Sequence, residues 1–164
     1  MSTSKVDINV LKDLKDEKLP WPQLHSLISG HKDKDRFFMM IDILKDCVSF
    51  KEKIILPLTE HLYIVKKDGD YVVKCDCGYE FCGYEGNWKL EAMIHVRNTE
   101  EELLEIYPKM MTGDPDWCEL REYYCPGCMS LLEVEAVPPG YPAVFNFKPN
   151  LKAFYEECLG APLP

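Results

Sequence analysis

Five of the chain's eight cysteines fall in two short stretches, CDCGYEFC at residues 75–82 and CPGC at residues 125–128, with 47 residues between Cys77 and Cys125. Thiols clustered in this way serve as disulfides, a redox dithiol, metal ligands or plain core residues, and each choice implies a different fold. The flanking residues discriminate between them. Tyr71 to Lys74 and Arg121 to Tyr124 read as strands running into the two clusters, and Leu131 to Val137 reads as a strand leaving the second. Each cluster is therefore expected at the turn of a β-hairpin. Two such turns facing one another, each offering two thiolates, make the tetrahedral four-sulfur site of a zinc ribbon, a closed coordination with no open position for water or substrate. Gly78 and Gly127 suit turns whose backbone angles side chains resist, and backbone N–H groups there are expected to donate to the sulfurs.

The first cluster holds one thiol too many. Cys75 with Cys77 keeps both sulfurs in one turn, which favours that pair, whereas Cys77 with Cys82 is the alternative. The zinc expectation thus rests on Cys75, Cys77, Cys125 and Cys128, with Cys82 open. Cys-Pro-Gly-Cys also matches a thiol-disulfide oxidoreductase motif, with Cys125 and Cys128 as the dithiol. Such motifs lower a thiol pKa at a helix N-terminus, and a strand is expected here instead. Cys47, Cys118 and Cys158 are read as ordinary buried residues. Of the scattered His25, His31, His61 and His95, only His95 lies where it could flank the ribbon as a ligand.

The remaining pattern is α+β: a small antiparallel, β-rich, zinc-ribbon-like core with N-terminal helices and a C-terminal helix. Residues 1–50 form the helical segment, with apolar spacing at Val6, Val10, Leu11 and Leu14, at Leu24, Leu27 and Ile28 before Gly30, and at Phe37, Met40, Ile41, Leu44 and Val48. Residues 51–137 form the β core with an inserted helix. Ile54–Leu58, His61–Lys66 and Tyr71–Lys74 are strands, the last two joined at Asp68-Gly69, the signal of a tight hairpin. Trp88, Leu90, Ala92, Ile94 and Val96 alternate with polar residues as a strand with one buried face, a short helix being the alternative. Thr99 and Glu102 form a capping box opening the inserted helix, which Pro108 ends. Residues 138–164 comprise an extended Pro-rich segment and a helix capped by Asn150 and stopped at Gly160.

With 28 Asp and Glu against 19 Lys and Arg, the net charge is −9. Such a surface repels a phosphate backbone unless its bases segregate, and the densest basic stretch, Lys32, Lys34 and Arg36, is interleaved with Asp33 and Asp35. A nucleic-acid-associated zinc ribbon is therefore the disfavoured alternative. No run has the length of a membrane span or a signal peptide, so a cytoplasmic location is expected, where thiol clusters are more often metal or redox centres than structural disulfides. No phosphate loop or catalytic triad is recognisable. The residues alone describe a small acidic zinc domain that binds partners.

Read jointly, KIILPL (53–58), CDCGYEFC (75–82), NWKLEAMIHVR (87–97), EIYPKMM (105–111), REYYCPGC (121–128) and FYEECLG (154–160) resemble the gamma subunit of acetone carboxylase and its relatives, including acetophenone carboxylase. The resemblance covers roughly residues 20–160. It implies a small, noncatalytic, zinc-binding subunit of a cytoplasmic complex that uses ATP to carboxylate a ketone, a C–C bond-forming ligase yielding a β-keto acid. In such complexes large hydantoinase-like subunits of alpha and beta type hold the reaction sites, so ATP and any further metal are expected only on those partners. By motif Cys75, Cys77, Cys125 and Cys128 carry over as zinc ligands, and Cys82 also falls within the family's pattern. Met129 stands where the family usually has glycine. Trp21, Tyr141, Phe145, Phe147 and Tyr155 are candidate interface anchors or, equally, core residues.

Overall fold

The computed structural model describes residues 6–31 and 33–164; Lys32 of the basic stretch, and the chain's first five residues, lie outside the described set. The chain divides into two compact units: the described residues of Met1–Val48 with Pro149–Pro164, and Ser49–Lys148.

The first unit is helical. Helix α1 (Ile8–Lys15) starts where the Asp7 carboxylate accepts from the Asn9 N–H, and it buries Leu11 completely. Helix α2 (Trp21–Ser29) has proline in its first turn and buries none of its residues. Helix α3 (Asp35–Leu44) buries Ile41 and also Ile43, which the expected apolar face omitted. It stops at Leu44 and tightens into a 3-10 turn (Lys45–Cys47), leaving Val48 extended rather than on the helix. At the far end of the chain, Asn150 caps α5 (Leu151–Ala153) as expected. The helix then widens into a π-helix over Phe154–Leu159 and ends at Gly160, which is left-handed at φ 68°. Phe37 stacks edge-on against Phe154 at 5.1 Å and Tyr155 at 5.9 Å. Tyr155 is only 2% exposed, so it closes this core instead of anchoring an interface.

The second unit holds two antiparallel sheets. Strands β1 (Lys53–Pro57), β2 (Leu62–Lys67), β3 (Asp70–Cys75) and β4 (Glu80–Gly83) lie in that order in one. The β2–β3 turn has positive φ at Asp68 (51°) and Gly69 (96°), the geometry that matches the right-handed twist of a two-residue hairpin. That turn sets the register, pairing Leu62 with Cys75 and Val65 with Val72. Strands β5 (Met93–Arg97), β6 (Glu119–Tyr124) and β7 (Leu131–Val137) make the second sheet. Between β5 and β6, the capping box of Thr99 and Glu102 opens α4 (Glu100–Leu104), which ends before Pro108. The expected α+β, antiparallel, ribbon-like architecture is present.

The stretch 88–92 departs from a strand. Trp88–Glu91 is a 3-10 turn capped by Asn87, in line with the short-helix alternative; Trp88 is buried as expected, but at the next two positions the alternation is reversed, with Leu90 67% exposed and Lys89 fully buried. The reason is electrostatic. Lys89 Nζ reaches Glu133 at 2.8 Å and also Glu135 on β7, and lies 5.3 Å from the ring of Tyr123 on β6. Tyr123 donates to Glu135 at 2.7 Å, and its ring packs on Trp88, which in turn meets Phe81 of β4. Central strand β6 is charge-rich yet buried because its charges are paired, Arg121 with Glu119 and Glu122 with Arg97 at 3.1 Å.

Burial alone would raise the carboxyls of Glu135 and Glu122, but hydrogen bonds from Lys89 and Tyr123, and from Arg97 and Tyr124, hold both below the usual carboxylate range. Carboxyls depressed in the folded state add stability above their unfolded pKa and lose it as pH falls through the folded value. Lys89→Ala removes the cation that pairs with two carboxylates, one of them nearly buried, leaving neutral donors, Tyr123 on Glu135 and Asn146 on Glu133, and is expected to cost about 3 kcal/mol in urea denaturation at pH 7. The deficit should shrink on acidification as the two carboxylates protonate.

Candidate metal centre

Strand β3 delivers Cys75 into the first turn, and its partner β2 fixes where that turn stands. Gly78 N–H donates to the Cys75 carbonyl at 2.8 Å, Cys75 N–H to the Tyr79 carbonyl at 2.8 Å, and Gly78 adopts φ 94°. Strand β6 delivers Cys125 in the same way. Met129 N–H closes that turn on the Cys125 carbonyl at 2.8 Å, and Cys125 N–H donates to Ser130 at 3.0 Å. In each knuckle the residue after the second cysteine is left-handed. The first uses Gly78; the second forces Met129 to φ 61°, a conformation that costs a side-chain-bearing residue about 1 kcal/mol.

Gly127 therefore has a different role from the expected one. It is not left-handed; it lets the knuckles approach. A Cβ there would lie 3.0 Å from Tyr79 Cβ and 3.3 Å from Cys77 Sγ. Its N–H also donates to Cys125 Sγ at 3.3 Å, the kind of backbone-to-sulfur bond that tunes a thiolate ligand.

This approach brings the sulfurs of Cys75, Cys77, Cys125 and Cys128 within 4.8 Å of one another. Cys75 to Cys128 and Cys77 to Cys125 are each 3.7 Å, far beyond a disulfide bond of about 2.05 Å. Four sulfurs about 2.3 Å from a central zinc would stand about 3.8 Å apart at the edges of a tetrahedron. The donor set and spacing thus fit such an ion, and the cluster could hold one. Burial pushes the Cys75 and Cys77 thiols up, whereas at Cys128 hydrogen bonding with Ser130 outweighs burial and brings the thiol down to about 7.

Cys82 lies outside the group, half-buried on β4 beside the turn at Gly86, where burial raises its thiol. His95, exposed on β5 opposite Glu122, is not brought to the sulfurs either. Cys47 and Cys158 are exposed, contrary to the expectation of buried thiols, and Cys118 is half-buried. The residue missed from sequence is His61. Its Nδ1 lies 2.6 Å from Asp76 Oδ2, and the other carboxylate oxygen of Asp76 accepts from Cys75 Sγ at 3.1 Å. The signal was available: counting back equally from the Asp68-Gly69 turn sets His61 opposite Asp76, whose N–H donates to the His61 carbonyl at 3.0 Å. Strand β7 follows Cys128, at the place where an oxidoreductase dithiol opens a helix.

Fold and cluster together define a four-cysteine, ribbon-type domain, built from two hairpin knuckles and joined to a helical unit. Comparison with known proteins makes the class specific. Residues 48–159 match the family described as acetone carboxylase gamma subunit. A curated protein of Xanthobacter autotrophicus, acetone carboxylase gamma subunit, is 44% identical over 154 residues, covering 93% of this chain and 92% of that one. The acetophenone carboxylase beta subunit of Aromatoleum aromaticum is 27% identical over 102 residues, 58% of this chain and 75% of that one. The chain belongs to the acetone carboxylase gamma subunit family.

Gly127→Ala is expected to push the knuckles apart without unfolding either hairpin. Affinity for added Zn2+, measured by competition with a chromogenic chelator, should fall about tenfold.

Proposed function

We propose that this chain is the gamma-type, noncatalytic subunit of an ATP-dependent ketone carboxylase, a cytoplasmic ligase joining a carboxyl group to acetone or a related ketone. The observation that carries the reading is full-length similarity, at 44% identity, to a protein named as a subunit of acetone carboxylase. Cys75, Cys77, Cys125 and Cys128 hold one structural Zn2+. With four thiolate ligands the ion has no position left for water or substrate, so its contribution is to clasp the β3–β4 and β6–β7 hairpins. Large hydantoinase-like subunits of alpha and beta type carry the ATP site and any further metal. The acidic charge of this chain and the strand after Cys128 support this reading over a nucleic-acid ribbon or a dithiol oxidoreductase.

The chain should co-purify with much larger subunits and contain about one zinc per polypeptide by elemental analysis. Recovery of a free, metal-free chain whose thermal unfolding ignores chelator would sink the proposal. Cys77→Ser should lose the zinc and lower the unfolding temperature by at least about 10 °C, since binding energy at such a site is folding energy. Because the buried thiols must shed protons to bind, zinc retention should weaken as pH falls.

A further inference from the structure

From the end of α4 to β6 one short arm carries the three most exposed large apolar side chains among the described residues. Met110 is 95% exposed, Trp117 79% and Met111 71%, and Leu104, Ile106 and Tyr107 each exceed 40%. Isolated exposed apolar residues are ordinary, but several drawn from one short segment mark a candidate interaction surface. Met110, Met111 and Trp117 are mostly in water, whereas Leu103, 2% exposed, is buried at the foot of the arm. Hydrogen bonds hold the arm. Arg97 pairs with Glu105 at 2.6 Å and donates to the Glu102 carbonyl at 3.2 Å, and Tyr107 N–H donates to Leu103 at 3.0 Å. Further along, Met111 N–H donates to Pro108 at 2.8 Å, Thr112 Oγ1 to Lys109 at 3.0 Å, and Trp117 N–H to Asp114 at 3.0 Å. A segment shaped by its own backbone hydrogen bonds loses little backbone entropy when covered, so the cost of binding falls mainly on its exposed side chains.

The charge around the arm selects what covers it. Residues 100–117 contain six acidic side chains and one base, Lys109. Glu100, Glu101, Asp114 and Asp116 are all exposed at its edges. An anionic lipid surface is repelled by this rim, since interfacial segments attract such lipids with Lys and Arg. A second copy of this chain, itself carrying −9, would set like charges together. We propose that the 104–117 arm is the docking element of this subunit, seating Met110, Met111 and Trp117 in an apolar cleft edged with Lys and Arg on a larger carboxylase subunit. The proposal rests on the function proposed above and adds the surface and the complementary chemistry of the partner.

The test is assembly of the full-length chain, co-expressed with the larger subunits of its carboxylase, followed by affinity measurement at low and high salt. The triple variant Met110→Ser/Met111→Ser/Trp117→Ser is expected to weaken binding about a hundredfold, and added salt should slow association of the wild type. Met110→Lys, altering only the most exposed side chain, should weaken binding about tenfold and checks against misfolding of the triple variant. Trp21→Ser/Ile28→Ser, removing exposed apolar groups on α2, should leave affinity unchanged. Wild-type affinity in the arm variants, or an equal loss in the α2 variant, overturns the proposal while leaving the carboxylase reading standing. So does binding of the isolated chain to phosphatidylserine vesicles, or its dimerisation, if the triple substitution abolishes it. Failure of the wild type to assemble at all overturns the carboxylase reading, and this proposal with it.

Discussion

The contact between Gly127 and the first knuckle is the constraint on which the β unit turns. A Cβ at Gly127 would stand 3.0 Å from Tyr79 Cβ and 3.3 Å from Cys77 Sγ, so a residue without a side chain lets the second hairpin approach the first without crowding, and the four sulfurs fall within 4.8 Å of one another. The two hairpins belong to different sheets, and their cysteines are far apart in sequence. Thiols gathered this closely gain little from mutual contact, since uncoordinated they must stay protonated or repel. A shared cation, as proposed above, would make the arrangement favourable.

A second buried polar contact complements the knuckles. Lys89, in the 3-10 turn after β4, satisfies two carboxylates on β7 and lies under the aromatic rings of Trp88 and Tyr123. The four-thiol cluster joins β3–β4 to β6–β7 at the turns, and the Phe81–Trp88–Tyr123 stack with Lys89 joins them along their length. A unit this small has limited apolar volume, and its two sheets are registered by directional contacts as much as by hydrophobic burial. The reactive-looking residues all have structural partners or positions: Cys75 and Cys125 are buried, Lys89 is ion-paired with Glu133 and Glu135, and β7 follows Cys128 where a dithiol enzyme would place a helix.

Local signals were readable wherever a short stretch sets its own conformation. The Asp68-Gly69 hairpin, the Thr99–Glu102 capping box, the Asn150 cap and the β7 boundaries are each specified by neighbouring residues, and each is found. Local pattern misled where a distant partner outweighs it: Leu90 and Lys89 exchange faces because Glu133 and Glu135 arrive from β7. At Tyr155, where core and interface stood equally open, packing against Phe37 decides for the core. Gly127 was legible as a necessary glycine, but its reason is Tyr79, a contact across two sheets.

By itself the sequence determined the knuckle spacing, the antiparallel hairpins that carry it, the acidic charge and the resemblance to one family, because these depend on adjacent residues and on composition. Only the tertiary structure decided that Cys75, Cys77, Cys125 and Cys128 meet while Cys82 stays apart, and that His61 stands beside the knuckle through Asp76. It also decided which apolar residues remain in water. Cys82 and the cluster cysteines are alike as residues; what separates them is the direction in which β4 leaves the turn, and that is set by pairing with β3, not by any property of the thiol.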